Sequence, residues 1–353
     1  MSDPQNALLN GDGFRFYRWT DAVTGADHDL LSVTSIRKLC GEPYQLVNWQ
    51  LGNLLDTVMG TVKRPKMGKR GKPLKNQYVY VPEAKPSEFL AMYAEATTQD
   101  DFDKLRKWVR ESADEPRNIA ARRGTLVHAA IEKQVASHRI ERDWVEAEFL
   151  NLSDKDRKAA KNGVSDEDID FIHDSVANWE DLRKNVPFVV VAKEPQVFNL
   201  EHGYGGSADN ILWFLPEGSD REWWQKQAER KTLTLDRIQG EGGWLAVGDN
   251  KTSKDVYTSH VVQIHAYGMA EFVGEDGVIN HRLTDILQAT QRGVILHIRP
   301  EHWAVHTFDF NEPTYRAFIG SVAFARYLAE YPRPQPLFLG ELDRMGNALQ
   351  EES

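Results

Sequence analysis

The chain has 353 residues, 41% of them hydrophobic and 10% aromatic, so it can bury one large core or two modest ones and is not a disordered protein. No apolar run approaches the roughly 20 residues that span a bilayer, and the polar N-terminus lacks the pattern of a secretory signal, so we expect no membrane partner and a cytoplasmic location. The single cysteine excludes an internal disulfide and any four-cysteine metal site within one chain, and the net charge of −10 argues against nonspecific attraction of the whole surface to nucleic acid.

The first 115 residues predict an accessory region that is mostly helical. Its pattern indicates a short strand near Tyr17, a helix that begins after Ser32 and runs to Leu39, and a second helix over 46–59. A strand over 78–81 and a helix over 101–112 follow.

One segment of this region is strongly basic. Between positions 63 and 75 there are seven basic residues and no acidic one: Lys63, Arg64, Lys66, Lys69, Arg70, Lys72 and Lys75. A run of this kind is ordinarily a solvated, mobile loop. In a protein that cleaves phosphodiester bonds it would instead hold the DNA backbone, because lysine and arginine release counterions from phosphates.

The core is expected over 116–332, followed by a C-terminal tail over 333–353. Apolar residues recur at helical spacing over 118–137 and 166–184, and two strand segments over 188–199 and 204–215 form a hairpin. After a polar insertion over 216–242 come a third strand that ends at Lys251, a helix over 257–273, two more strands and a closing helix over 313–331. This order predicts an α/β fold, with a central mixed sheet and helices packed on it.

The third predicted strand carries the most informative pair of residues. Asp249 and Lys251 are two positions apart, so in a strand their side chains point to the same face. Asp209 lies in the neighbouring strand segment, where an acid without a partner is costly. Two carboxylates suit a hard cation such as Mg²⁺ or Mn²⁺, and a lysine beside them suits phosphodiester hydrolysis. Asn250 points to the opposite face, so only its carbonyl oxygen could reach the metal.

Two further residues are candidate metal ligands. His128 lies one helical turn after Gly124, and the missing side chain of this mid-helix glycine would let DNA or a strand approach where the imidazole projects. An imidazole ligand would tilt the preference toward Mn²⁺. Glu194, beside Pro195, is either an acid at a strand edge or another ligand.

Two aromatic or amide features could support the site. Gln263 and Tyr267 share a helix face just after the third strand, where they could hold Lys251 and a DNA phosphate in register. Trp223 and Trp224, in the insertion, could stack on an unpaired base, although burial of both in a local cluster is the simpler interpretation.

Taken together, four short motifs resemble the PD-(D/E)XK nuclease superfamily, within it the RecB-like branch of CRISPR-adaptation and phage exonucleases. The motifs are Gly124-Thr125-Leu126-Val127-His128, Gly206-Ser207-Ala208-Asp209, Asp249-Asn250-Lys251-Thr252 and Gln263-Ile264-His265-Ala266-Tyr267. The resemblance implies a restriction-endonuclease-like core, with His128, Asp209 and Asp249 as metal ligands and Lys251 as the catalytic lysine. The chain departs from many relatives in lacking cysteines for an iron–sulfur cluster, and in the length of its insertion.

The function expected from this resemblance is a metal-dependent DNA exonuclease that acts on linear DNA in phage-type recombination, repair or DNA processing. A recombination partner protein is possible in that setting, and a phage-encoded protein would act in the host cytoplasm. Two alternatives stay open: a catalytically idle DNA-binding or assembly protein on the nuclease fold, and a structure- or sequence-specific endonuclease.

Overall fold

The computed structural model describes residues 7–9, 15–39, 61–67, 73–82, 88–152 and 163–330. The first part of the chain contains β1 (Ala7–Leu9), β2 (Arg15–Thr20), β3 (Asp27–Ser32), α1 (Val33–Leu39), β4 (Thr61–Met67), β5 (Pro73–Pro82) and α2 (Glu88–Glu95). The middle contains α3 (Gln99–Glu132), a 3-10 turn (Ser137–Arg139), α4 (Arg142–Leu150), α5 (Asp166–Asn185), β6 (Phe188–Lys193), β7 (Gln196–Asn199), β8 (Tyr204–Ser207) and β9 (Asn210–Phe214). The last part contains α6 (Arg221–Glu229), α7 (Leu235–Glu241), β10 (Trp244–Lys251), α8 (Thr258–Gly268), β11 (Phe272–Glu275), β12 (Val278–Ile279), α9 (His281–Gln288), β13 (Arg292–Ile298), β14 (Trp303–Asp309) and α10 (Glu312–Glu330). No helix within these ranges is both long and apolar enough to cross a membrane.

Two mixed sheets organise this part of the chain and confirm the α/β class. A five-stranded sheet has the order β14-β13-β10-β9-β6, in which β10 and β13 are parallel and the other pairs antiparallel. A seven-stranded sheet has the order β1-β2-β3-β8-β7-β11-β12, in which β3 and β8 are parallel. The sequence predicted one central sheet, and it missed β11, β12 and α9. It extended the helix over 257–273 past its end at Gly268 and into β11, and it placed no element over β12 and α9.

The predicted hairpin is present, but each of its strands is broken and passes from one sheet to the other. β6 pairs with β9 in the five-stranded sheet, whereas β7 pairs with β8 in the seven-stranded sheet. The breaks lie at Glu194–Pro195 and at Ala208–Asp209, and Glu194 adopts a left-handed φ of 45°. The prediction that Glu194 lies within a continuous strand is therefore wrong, because Glu194 lies between β6 and β7. Asp209 immediately precedes β9. Two acids thus lie together at the crossing between the sheets.

The five-stranded sheet is buried on both faces. On β9, Leu212 and Phe214 belong to one core cluster and Ile211 and Trp213 to another, as the alternation of side chains in a strand requires. The first cluster includes residues of α3 and α5, such as Leu126, and the second includes residues of α1, α8 and α10. Helices therefore cover both faces of the sheet.

Part of the expected accessory region belongs to this core. β3 pairs with β8, and the α1 side chains of Val33 and Ile36 are fully buried against the second cluster. Helix α3 runs without interruption across the expected boundary at 115/116 and includes Pro116, so the separate helices predicted over 101–112 and 118–137 are one helix. The described part of the first 115 residues also contains five strands, so it is not mostly helical.

The basic segment was predicted to be a loop, and this prediction is wrong for its ends. β4 and β5 pair antiparallel, with Lys63 opposite Tyr80 and Arg64 opposite Val79. Lys66 also lies on β4 and Lys75 on β5. The remaining three basic residues, Lys69, Arg70 and Lys72, lie outside the described residues, as do the helix predicted over 46–59 and the tail over 333–353.

The insertion over 216–242 forms two short helices, α6 and α7, and α6 covers the edge strand β6 of the five-stranded sheet. Gln225 of α6 accepts a hydrogen bond from the backbone N–H of Val190 (3.1 Å) and thereby satisfies part of the edge of β6. Trp224 packs edge-on against the buried Trp213, with ring centroids 4.9 Å apart. Trp223 is 47% exposed, so burial of both tryptophans is wrong: one anchors the insertion and the other faces solvent.

Candidate active site

The end of β10 carries a buried ion pair. The ammonium of Lys251 contacts Oδ2 of Asp249, and Asp249 is only 1% exposed. Burial raises the pKa of Asp249, and the nearby Asp209 carboxylate raises it further, whereas Lys251 and His128 lower it. Both residues lie on one side of the strand, as the alternation of side chains predicted.

Asp209 lies beside this pair because β9 and β10 run antiparallel with Asn210 opposite Gly248. Its Oδ2 accepts a hydrogen bond from the backbone N–H of Asn250 (2.7 Å), and it lies 3.5 Å from Nδ1 of His128. Three separate segments, α3, the start of β9 and the end of β10, therefore meet at one point. The close approach of α3 explains how a helical histidine reaches a strand end.

Glycines at two motif positions make this convergence possible. A Cβ on Gly124 would lie 2.8 Å from Oγ1 of Thr252, so α3 can approach the segment after Lys251 only without a side chain there. A Cβ on Gly206 would lie 2.8 Å from the ring of Tyr267, which packs against β8. Contacts as short as these are essentially forbidden, and the role of Gly124 is thus close packing of a chain segment.

Helix α3 is held in place by a buried ionic cluster. Asp168, at 1% exposure, accepts hydrogen bonds from Arg122 (2.8 Å) and Arg123 (2.6 Å) on α3. It also caps α5, because its carboxylate accepts from the N–H of Ser165 while the Ser165 hydroxyl accepts from the N–H of Asp168. The two arginines immediately precede Gly124 in α3, so their bonds to Asp168 fix the half of the helix that carries His128.

A chain of polar groups on α8 and α1 borders the ion pair. Gln263 donates from Nε2 to the hydroxyl of Tyr267 (2.8 Å), and its Oε1 accepts from Nη1 of Arg37 (2.9 Å). Burial raises the pKa of Tyr267 well above its usual range; the Gln263 bond opposes this, and the negative charge of Asp249 adds to it. The phenol therefore stays protonated and can donate a hydrogen bond. The sequence offered no signal for Arg37, because it lies 226 positions from its partner.

His260 is a second residue for which the sequence offered no signal. It lies three positions before Gln263 on α8, and its side chain is buried where the charges of Lys251 and Asp249 influence its pKa. Burial, followed by the positive charge of Lys251, lowers the pKa of His260 to about 3, so it is neutral. Its Nδ1 accepts from the N–H of Tyr257 (3.3 Å). The other helical histidine, His265, has a structural role through bonds to Val261 and Asn311.

A cavity of about 290 Å³ opens beside these groups. His128, Asp209, Glu194 and Asn250 all line it. Glu194 is half-buried; burial raises its pKa, and the charges of Glu132 and Asp209 raise it further. Glu194 therefore lies near the carboxylates of the site, as its interpretation as a ligand requires.

The donor atoms of these residues determine which metal they could bind. Their oxygens and one imidazole suit a hard divalent cation. In the part of the chain that the structure describes, however, no three His, Cys, Asp or Glu side chains are arranged to hold a metal as they stand. Asp249 is engaged with Lys251 instead. A metal would thus compete with Lys251 for the carboxylate of Asp249.

Comparison of the sequence with protein families and with curated proteins identifies no relative. No protein-family model matches the chain, and no curated protein matches it either. The functional conclusion therefore depends on the arrangement of the site.

Proposed function

We propose that the protein is a divalent-metal-dependent deoxyribonuclease of the PD-(D/E)XK type, with a restriction-endonuclease-like core, that hydrolyses phosphodiester bonds from the ends of linear DNA. The observation that carries this proposal is the meeting of His128, Asp209, Asp249 and Lys251 at the end of β10. A lysine paired with the buried carboxylate of Asp249 at a strand end has no evident structural purpose, because packed apolar residues would stabilise the same position at least as well.

The chemistry follows from the charges of these residues. Asp209, Asp249 and His128, with Glu194 and the carbonyl of Asn250 as further candidates, would hold Mg²⁺ or Mn²⁺, which neutralises developing charge on the phosphate and acidifies a bound water. Lys251 keeps a fixed positive charge beside the scissile phosphate. No iron–sulfur cluster is part of the proposal, since the chain has one cysteine.

Other residues would bind and orient the DNA strand. The buried pair of Gln263 and Tyr267 would hold the partly exposed guanidinium of Arg37 in place, and this guanidinium would donate to a backbone phosphate. The basic residues over 63–75 would contact phosphates further along the duplex, with an affinity that falls as salt rises. A recombination partner that supplies or receives the processed strand fits the same activity.

The proposal is tested by incubating end-labelled linear single- and double-stranded DNA with the protein and either Mg²⁺ or Mn²⁺. Lys251→Ala is expected to lower the cleavage rate roughly 10²- to 10³-fold, because one preorganised charge at the transition state is lost. Lys254→Ala is the matched control, since Lys254 is an exposed lysine three residues further on. Equal cleavage by both variants would refute the catalytic role of Lys251.

Two outcomes separate the remaining alternatives. Cleavage of covalently closed circular DNA at the rate of linear DNA would assign an endonuclease, whereas an exonuclease leaves the circle intact. Binding of DNA by the wild-type protein without cleavage in either metal would assign an idle DNA-binding or assembly protein, for which the Asp249–Lys251 ion pair would be the resting arrangement.

A further inference from the structure

The cavity beside the carboxylates extends well beyond them. It is bounded by the C-terminal end of α3, by α5, by the edge strand β6 and by α6 of the insertion. Its walls away from the carboxylates are largely apolar and include Trp179, Val135 and Val190. Apolar walls with several polar groups among them are typical of a pocket for a small organic molecule. The proposed hydrolysis of DNA uses none of this part of the cavity.

Arg183 of α5 supplies one of these polar groups. Its guanidinium packs over the ring of Phe188 at 4.7 Å and donates to the carbonyl of Phe188 (3.2 Å), with a longer contact to Gln225 (3.5 Å). Burial lowers the pKa of Arg183 to about 10, so it is charged at neutral pH. Within the described part of the chain it makes no ion pair, although a guanidinium has five N–H donors. Donors therefore remain available to a molecule in the cavity.

The charge of the cavity decides which molecule fits. The lining carboxylates outnumber the two lining cations, Arg183 and Lys193, and they are Glu132, Glu180, Glu194, Asp209 and Glu229. Glu180 is held by the N–H and hydroxyl of Ser137 (2.9 and 2.7 Å), and Lys193 donates to the carbonyl of Glu132 (3.3 Å). A phosphate would be repelled by this excess of negative charge, whereas a neutral base would not.

We infer that this cavity binds the unpaired base of the nucleotide next to the scissile phosphate, and that Arg183 selects guanine there. A planar guanidinium donates in a bidentate manner to two adjacent acceptors, such as O6 and N7 of guanine, whereas adenine offers a donor beside its acceptor. A base can enter only when it is out of the duplex, so the substrate is a single strand or a frayed end. This inference rests on the proposed function, since it needs the phosphate to lie at the carboxylates.

The test uses binding by a cleavage-deficient protein, so that it does not depend on the reaction. Fluorescently labelled dT12 oligonucleotides that carry one dG or one dA at either end are titrated with the Lys251→Ala protein in Mg²⁺, and binding is followed by anisotropy. We expect tighter binding of a dG oligonucleotide by roughly 10-fold over its dA counterpart. Arg183→Lys in the same background keeps the charge but not the planar fork, and should abolish this preference.

Two further variants guard against a purely structural effect of Arg183. Val135→Phe narrows the cavity and leaves the guanidinium of Arg183 in the chain, and it should also abolish the preference in a protein whose fold is retained by circular dichroism. Arg230→Lys changes an exposed arginine of the insertion that does not line the cavity, and should leave the preference intact.

The possible failures are distinguishable. Equal binding of dG and dA oligonucleotides by the Lys251→Ala protein, or a preference that survives both Arg183→Lys and Val135→Phe, overturns the base pocket and leaves the nuclease proposal standing. Absence of any DNA binding and of any cleavage by the wild-type protein overturns the nuclease proposal itself, and the pocket with it.

Discussion

Replacement of Asp168 by asparagine is expected to destabilise the protein strongly. The carboxylate accepts from Arg122 and Arg123 at 2.8 and 2.6 Å, and both Asp168 and Arg122 are almost completely buried, at 1% and 8% exposure. Asp168→Asn keeps the size of the side chain but removes its charge, so Arg122 becomes a buried cation without a counter-charge. Breaking a buried pair in this way costs about 3–5 kcal/mol.

The measurement is urea unfolding of the wild type, Asp168→Asn and Asp170→Asn, with the free energy of unfolding obtained by linear extrapolation. Asp170 is an exposed acid on the same helix, and its replacement should change the free energy by no more than about 0.5 kcal/mol. A loss of less than about 1 kcal/mol for Asp168→Asn would refute the argument that this cluster fixes α3 against α5.

The pH dependence gives an independent check. Burial opposes ionisation of Asp168, but the hydrogen bonds from Arg123 and Ser165 and the charges of both arginines lower its pKa overall. Since the folded pKa lies below the unfolded one, the contribution of Asp168 is complete above the unfolded value, near 4, and is lost as the pH falls through the folded value. The stability difference between wild type and Asp168→Asn should therefore shrink in acid.

Three other substitutions probe the site. Gly124→Ala should lower nuclease activity roughly 10- to 100-fold, because its Cβ would lie 2.8 Å from Oγ1 of Thr252 and the two segments would have to move apart. Alanine favours the helix by about 1 kcal/mol, so the loss should appear in activity and not in stability, and an unchanged single-turnover cleavage rate would contradict this. Arg37→Ala removes the donor to Gln263 and should weaken DNA cleavage about 10-fold with the fold retained by circular dichroism; an unaltered kcat/KM would argue against a role for α1 in the site. His260→Gln should make the free energy of unfolding depend less on pH in acid. A histidine whose pKa falls to about 3 on folding lowers the free energy of unfolding by about 1.4 kcal/mol for each pH unit below 6.5, and glutamine does not titrate. Parallel plots of the free energy of unfolding against pH, from pH 7 to 4, for the variant and the wild type would show that this histidine is not held neutral.

Much of the candidate site was predictable, because its residues lie in short local patterns. The alternation of a strand put Asp249 and Lys251 on one side, and a glycine in the middle of a helix marked the close approach beside His128. The α/β class followed from the order of apolar periodicities. These features depend on neighbours within a few residues, which the sequence displays directly.

Errors arose where tertiary contacts override local preference. The sequence shows two apolar strand segments. It does not show that the first breaks at Glu194 and the second at Asp209, so that each segment contributes to both sheets. It places two separate helices around Pro116, because proline ordinarily ends a helix, whereas the structure continues one helix through it. It also divides the chain near 115/116, although β3 and α1 are part of the buried core.

The sequence by itself determined which chemical groups are available: two carboxylates, an imidazole, a lysine and a single cysteine, with the spacing that aligns Asp249 and Lys251. The tertiary structure decided which groups meet them. Arg37 reaches Gln263 from 226 positions away, the charges of Asp249 and Lys251 act on the buried His260, and Arg183 lines a cavity that the insertion helps to close. Such meetings depend on how whole helices pack on the sheet, and no pattern within a few residues encodes that packing.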